Sequence, residues 1–284
     1  MPDVAHHVPL TFEEAVAAVR RASLNPDELP VRVVAGAVRL TAASGPSRDM
    51  VESWNIESAG GPAVGELANL VLALRTGRRL GAVAAPVRQR YDEVGVVAAA
   101  ALASVLAAES MAYPIYAAPE PLGLGRGRRM GTEMLGLAEQ LHRSFGVIPD
   151  RWKALSLQPR AASRWWEAHD GAMVPATLSG EEKWLAAAAF AEAVGDSRLA
   201  VLYTGFLVRQ GWDRADIEAG TFGRLSRQRR GFGRALRGVK EMLIAGLDRS
   251  RVELAGADLS AEAVVELVDL ARLTRSMVVV GALG

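Results

Sequence analysis

Apolar residues recur at three- and four-residue spacing along almost the whole chain, and alternating β-branched runs are few, so the pattern predicts an all-α fold. Thr11-Phe12-Glu13-Glu14 opens the first helix as a capping box, with Thr11 as the cap and Glu14 three residues on; Pro26 and Pro30 interrupt the pattern after it. The spacing places a next helix over 31–41, a connection rich in Gly, Ser and Pro over 44–62, and helices over 64–74 and 83–109. Pro114, Pro119 and Pro121, then Gly123, Gly125 and Gly127, mark a linker and divide the chain into 1–125 and 126–284. Beyond it, helices are predicted at 131–145, 149–156, 161–173, 179–194, 197–210, 213–220, 233–245 and 260–280. The two halves end alike: Tyr91-Asp92-Glu93 leads into an apolar run over 94–111, and Ser260-Ala261-Glu262 into another over 263–277. This suggests a tandem duplication in which 1–125 is a degenerate repeat.

Composition narrows the chemistry. With 284 residues, half of them hydrophobic, the chain can bury a sizeable core. Thirty-three basic residues against thirty-two acidic leave a net charge of +1, so no global field attracts nucleic acid or an anionic membrane. The apolar run over 94–108 falls short of the ~20 residues that span a bilayer and is closed by Glu109, so a core helix is expected there. The chain has no cysteine, which excludes a disulfide framework, zinc–thiolate or iron–sulfur ligation and any thiol nucleophile. No metal-ligand spacing, Walker loop, dinucleotide fingerprint or serine-hydrolase elbow is present, so neither metal nor cofactor is expected. Residues 1–9, with Asp3, His6 and His7, lack the basic-then-apolar order of a secretory signal, and a cytoplasmic location is expected.

One stretch carries a likeness. Phe145-Gly146-Val147-Ile148-Pro149-Asp150, then Trp165 to Met173, Thr177-Leu178-Ser179-Gly180-Glu181-Glu182-Lys183, and Trp212-Asp213-Arg214-Ala215-Asp216-Ile217 resemble the alkylhydroperoxidase D-like and carboxymuconolactone decarboxylase superfamily. The likeness is close over 131–217 and looser over 232–283. It implies an alkylhydroperoxidase D-like helical bundle that assembles as a homo-oligomer. Peroxidases of that family carry a glutamate, a Cys-x-x-Cys and a histidine, because a low-pKa thiolate must attack peroxide and a relay must serve it. Aligned without gaps, those places fall on Trp184, Asp196, Leu199 and Tyr203, so thiol peroxidase chemistry is excluded. The decarboxylase branch is expected to use histidine and acidic groups, and 197–210 contains no histidine.

Asp196, Leu199 and Tyr203, at i, i+3 and i+7, share one helix face and bring an acid and a phenol toward one pocket. Asp196 after Gly195 also reads as a helix cap, and Tyr203 as a core tyrosine tied to one partner. Arg164-Trp165-Trp166-Glu167-Ala168-His169-Asp170 is the densest functional cluster. Its His169 is the candidate general acid or base, or else an ordinary surface histidine beside Asp170. His169, Tyr203 and Asp196 are thus the catalytic candidates, and Trp184, Trp165, Leu199 and Glu192 the substrate-binding ones. The arginine-dense segment 224–237 suits a phosphate or carboxylate, or a solvated or oligomer-interface face. Two functions are open. One is a cysteine-independent enzyme of isomerase, cyclase or lyase type acting on a small organic substrate by acid–base or conformational control. The other is a catalytically inactive ligand-binding or scaffold protein, whose cavity would be filled.

Overall fold

The computed structural model describes residues 11–23, 60–76, 80–109, 118–224, 230–246 and 258–284, with isolated positions between 32 and 57. Among these residues the fold is all-helical, with no strand. The helices are α1 (Phe12–Ser23), α2 (Pro62–Thr76), α3 (Leu80–Glu109), a 3-10 turn (Thr132–Met134), α4 (Leu135–Phe145), α5 (Asp150–Leu155) and α6 (Pro159–Met173). They continue with α7 (Gly180–Ala193), α8 (Ser197–Arg209), α9 (Arg214–Thr221), α10 (Arg230–Ala245) and α11 (Ala261–Gly281). Of the helix predicted over 31–41 only Arg32, Ala35 and Gly36 are described, each helical; the rest of it, and most of the connection over 44–62, lie outside the described residues.

Several helices start where side chains can satisfy the first free N–H groups. Thr11 and Glu14 bond reciprocally at α1, at 2.8 Å and 3.3 Å, and Ser179 and Glu182 do the same at α7, at 3.0 Å and 3.2 Å. Ser260 caps α11 and Asp213 caps α9. Helix α3 contains a break that periodicity does not announce. Asp92 turns into the left-handed region (φ 57°), and its carboxylate accepts from the N–H groups of Val94 and Gly95, restarting the helix.

One contiguous core runs from Phe12 to Leu283 and crosses residue 125. The apolar segment of α3 after Asp92 packs along α11, α2 packs on α3, and α1 lies against α3 and α6. Helix α3 is long and apolar enough to cross a membrane by length and composition, and 78% of its most apolar window is buried inside the fold. Arg272 of α11 gathers this end: it donates to the Ala108 carbonyl at 2.6 Å, pairs with Glu13 at 2.6 Å and lies 4.9 Å over the Phe12 ring. The glycine-rich stretch at 122–125 is bonded to the residues after α11, with Leu122 N–H donating to the Ala282 carbonyl (2.7 Å) and Leu124 N–H to that of Leu283 (2.9 Å).

Helix α7 occupies the middle, buried on all sides from Lys183 to Ala191, with α8, α9, α10 and α11 packed around it. An alanine run there lets the neighbours approach closely. Buried Lys183 is paired with Glu266 of α11 at 2.8 Å and donates to the Val174 carbonyl at 2.6 Å. The arrangement fixes α7 and α8 side by side, and it is their shared face, closed by α6 and α4, that holds the candidate site.

Candidate functional site

Four helices aim aromatic side chains at one point. From α6, Trp166 stacks on His169 (ring centroids 5.1 Å apart, planes 15° apart), and His169 stacks in turn on Tyr203 of α8 (5.9 Å, 14°). Trp184 of α7 presents edge-to-face contacts to His169 and Tyr203 at 5.8 Å and 5.6 Å. Phe145, the last residue of α4, meets all four rings at 5.7–6.3 Å. The outer face of Trp184 is covered by Phe206, which stacks on it at 3.8 Å and 15°. Trp184 is 8% exposed, His169 2% and Tyr203 not at all. Each aromatic pair of this kind adds about 0.5–1.5 kcal/mol beyond its area burial, so the cluster is a packed unit.

The polar atoms inside it are poorly served. Among the described residues, neither ring nitrogen of His169 nor the Tyr203 hydroxyl has a hydrogen-bond partner. Burial disfavours the charged form of each: the His169 pKa is pushed down to about 3, and that of the Tyr203 phenol well above its ordinary value despite the Arg151 guanidinium nearby. Burial thus favours a neutral imidazole beside a neutral phenol near pH 7.

Asp196 sits at the start of α8 and is buried, yet it does not join the ring cluster. Its two carboxylate oxygens accept from Arg151 at 3.0 Å and 3.1 Å, and Oδ1 also accepts from the Leu199 N–H at 2.9 Å. Arg151 donates further to the Met277 carbonyl at 2.9 Å. The carboxylate is spent on a buried ion pair and a helix cap.

The structure therefore brings together His169, Tyr203 and Trp184, and sends the other sequence candidates elsewhere. Trp165 is buried on the α3 side of α6, where its indole N–H donates to the Ser104 hydroxyl at 3.0 Å. Leu199 is core on the inner face of α8. Glu192 is exposed at the end of α7. The contributors that sequence reasoning missed are Arg151, Phe145, Trp166 and Phe206. Trp166 and Phe206 were legible, since one lies three residues before His169 and the other three residues after Tyr203; Phe145 and Arg151 reach the site from other helices. No family model, curated protein or solved structure matches the chain.

A second feature lies on the opposite face of α8. There the end of α7, α8 and α9 line an open groove of about 930 Å³ that includes Glu192, Val201, Thr204, Val208, Arg209 and Phe222. In the arginine-dense segment, Arg237 donates to the Gly223 carbonyl at 3.0 Å and Arg234 pairs with Asp258, so both serve the fold. Among the described residues no three His, Asp or Glu side chains cluster to hold a metal ion.

Proposed function

We propose that this chain is a catalytically inactive binding or scaffold protein on an alkylhydroperoxidase D-like helical bundle, working through its surface and not through chemistry in the bundle core. One observation carries the reading: the four positions at which the resemblance puts a peroxidase's glutamate, cysteines and histidine are all taken up by packing. Trp184 stacks on Phe206, Asp196 is held by Arg151, and Leu199 and Tyr203 are buried. An acid–base site needs a titratable group facing a space that admits substrate, whereas His169 and Tyr203 are buried against each other and the rings of Phe145 and Trp184.

A specific observation favours a second reading. Leaving three polar atoms of His169 and Tyr203 unsatisfied in one cluster costs free energy, on the order of 1–3 kcal/mol for each group. A small organic substrate reaching them after Trp184 left Phe206 would remove that cost, as in a cysteine-independent isomerase, cyclase or lyase. The test is chemical-shift perturbation of the native chain by a library of small aromatic and carbonyl compounds. The first reading expects no saturable shift at the Trp184 indole or the His169 ring. Saturable shifts at the Trp184 indole and the His169 ring would overturn it in favour of the second.

A further inference from the structure

Where the starts of α5 and α8 and the end of α11 meet the glycine-rich stretch after residue 122, they border a pocket of about 230 Å³ that none of the clustered rings lines. One wall is Arg151, already fixed by its buried pair with Asp196. Another is bare backbone, supplied by Gly281 and Gly284. These two lie directly against Arg151. A Cβ on Gly281 would stand 3.0 Å from Arg151 Nη1 and 3.1 Å from Asp196 Oδ2, and one on Gly284 would stand 2.9 Å from the Arg151 amide nitrogen. The end of α11 thus closes on the ion pair through glycines, and the pocket walls there are held in place by packing.

The charges at this pocket do not balance. Arg126, from the glycine-rich stretch, and Arg198, the second residue of α8, both line it. Neither side chain has an acid or a hydrogen-bond acceptor as partner among the described residues. The nearby carboxylates are already engaged: Asp150 accepts from Lys153 at 2.8 Å, and both oxygens of Asp196 accept from Arg151. Counting the carboxylate of Gly284, the last residue of the sequence, against the two guanidiniums still leaves an excess of positive charge. Like charges brought to one small pocket repel, and an anion placed between them removes that cost. The arginine-dense segment differs in this respect, because Arg234 and Arg237 are occupied by Asp258 and the Gly223 carbonyl.

We propose that this pocket binds phosphate, as the free ion or as a small phosphomonoester, between the guanidiniums of Arg126 and Arg198. Size and geometry select the ligand together. The pocket is smaller than the roughly 300–1,000 Å³ sites that enclose whole drug-sized molecules, so it suits an oxyanion head group. Its two unpaired guanidiniums belong to different segments and approach from different directions. A planar carboxylate satisfies one such fork, whereas a tetrahedral phosphate offers oxygens to both and carries the charge to match them. An occupied pocket would join the stretch after residue 122 to α8 beside the Arg151–Asp196 pair. This gives the binding reading a ligand class, at a site that does not depend on the ring cluster being closed.

Titration of the nitrogen-15-labelled full chain with inorganic phosphate, at constant ionic strength, tests it. The Nε–H signals of Arg126 and Arg198 are expected to shift saturably, and the melting temperature to rise with phosphate. Arg126→Gln and Arg198→Gln, both at exposed positions, should keep the helical circular-dichroism spectrum and each weaken binding tenfold or more; the double variant should lose the phosphate-dependent rise in melting temperature. Sodium acetate and sodium chloride at matched ionic strength should give no saturable shift. Glycerol phosphate, run in parallel, separates the two sources: tighter binding of the ester points to a small phosphorylated compound, tighter binding of the free ion to inorganic phosphate, and either supports the site. Shifts that grow linearly and equally with all the salts, or binding that survives in the double variant, would overturn the proposal. Saturable shifts at the His169 ring with small organic compounds would sink the non-catalytic reading and leave this pocket standing, while phosphate that leaves Arg126 and Arg198 unmoved sinks the pocket alone.

Discussion

The Arg151 guanidinium grips both carboxylate oxygens of Asp196 and reaches the Met277 carbonyl, tying the short helix α5 to the start of α8 and to the last turns of α11. Both side chains are about 5% exposed, so removing one partner strands the other charge in the core. Asp196→Ala is expected to lower unfolding free energy by about 3–5 kcal/mol in urea titration. Pairing it with Arg151→Met should recover much of that loss. A variant that keeps wild-type stability would show that the carboxylate is not structural.

The Tyr203 hydroxyl is buried without a partner among the described residues, so deleting it should help. Tyr203→Phe keeps the ring and its stack on His169 and removes only the unsatisfied oxygen. Calorimetry should register a gain of about 1 kcal/mol, or roughly 2–4 °C in melting temperature. A loss of similar size would mean that the hydroxyl is satisfied in solution.

Trp184 closes the cluster from the outside. Trp184→Ala is expected to cost about 3–5 kcal/mol by leaving a cavity bordered by Phe145, His169, Tyr203 and Phe206. Indole added to this variant should fill the space and raise its melting temperature, with no comparable effect on the wild type. If the substitution is nearly neutral and indole does nothing, Trp184 is not the plug.

The helices were legible because their cues are local. The boxes at Thr11–Glu14 and Ser179–Glu182 and the caps at Asp196, Asp213 and Ser260 are set by residues within four positions of each other. The meeting of His169, Tyr203 and Trp184 was readable only as residues of the right kind on the right faces. What lay out of reach was long-range. Arg151 finds Asp196 across 45 residues, and nothing in the local pattern around either one announces it. Trp165 and Trp166 are neighbours in sequence with different directions, one toward Ser104 of α3 and one toward His169. Trp165 and Trp166 both lie within one turn of His169, four and three residues before it, and only Trp166 stacks on it. His169 as an ordinary surface residue was the other expectation, and its 2% exposure rules that out.

Closure of the ring cluster is the central claim, and His169 reports on it directly. Its folded-state pKa, about 3, lies below the ordinary value of 6.5, so the unfolded chain takes up the proton first. Stability is therefore undiminished by this residue above the ordinary imidazole range. It falls as pH drops from about 6.5 toward 3, by at most ~1.4 kcal/mol per pH unit, a slope that His169→Phe should remove. The deciding measurement is a nitrogen-15 NMR titration of the His169 ring in the native chain. Ring shifts that stay those of a neutral imidazole down to about pH 4.5, while the chain remains folded, are the expected result. A midpoint near 6.5 would mean that water reaches the ring, and would contradict the closed core on which the binding and scaffold reading stands.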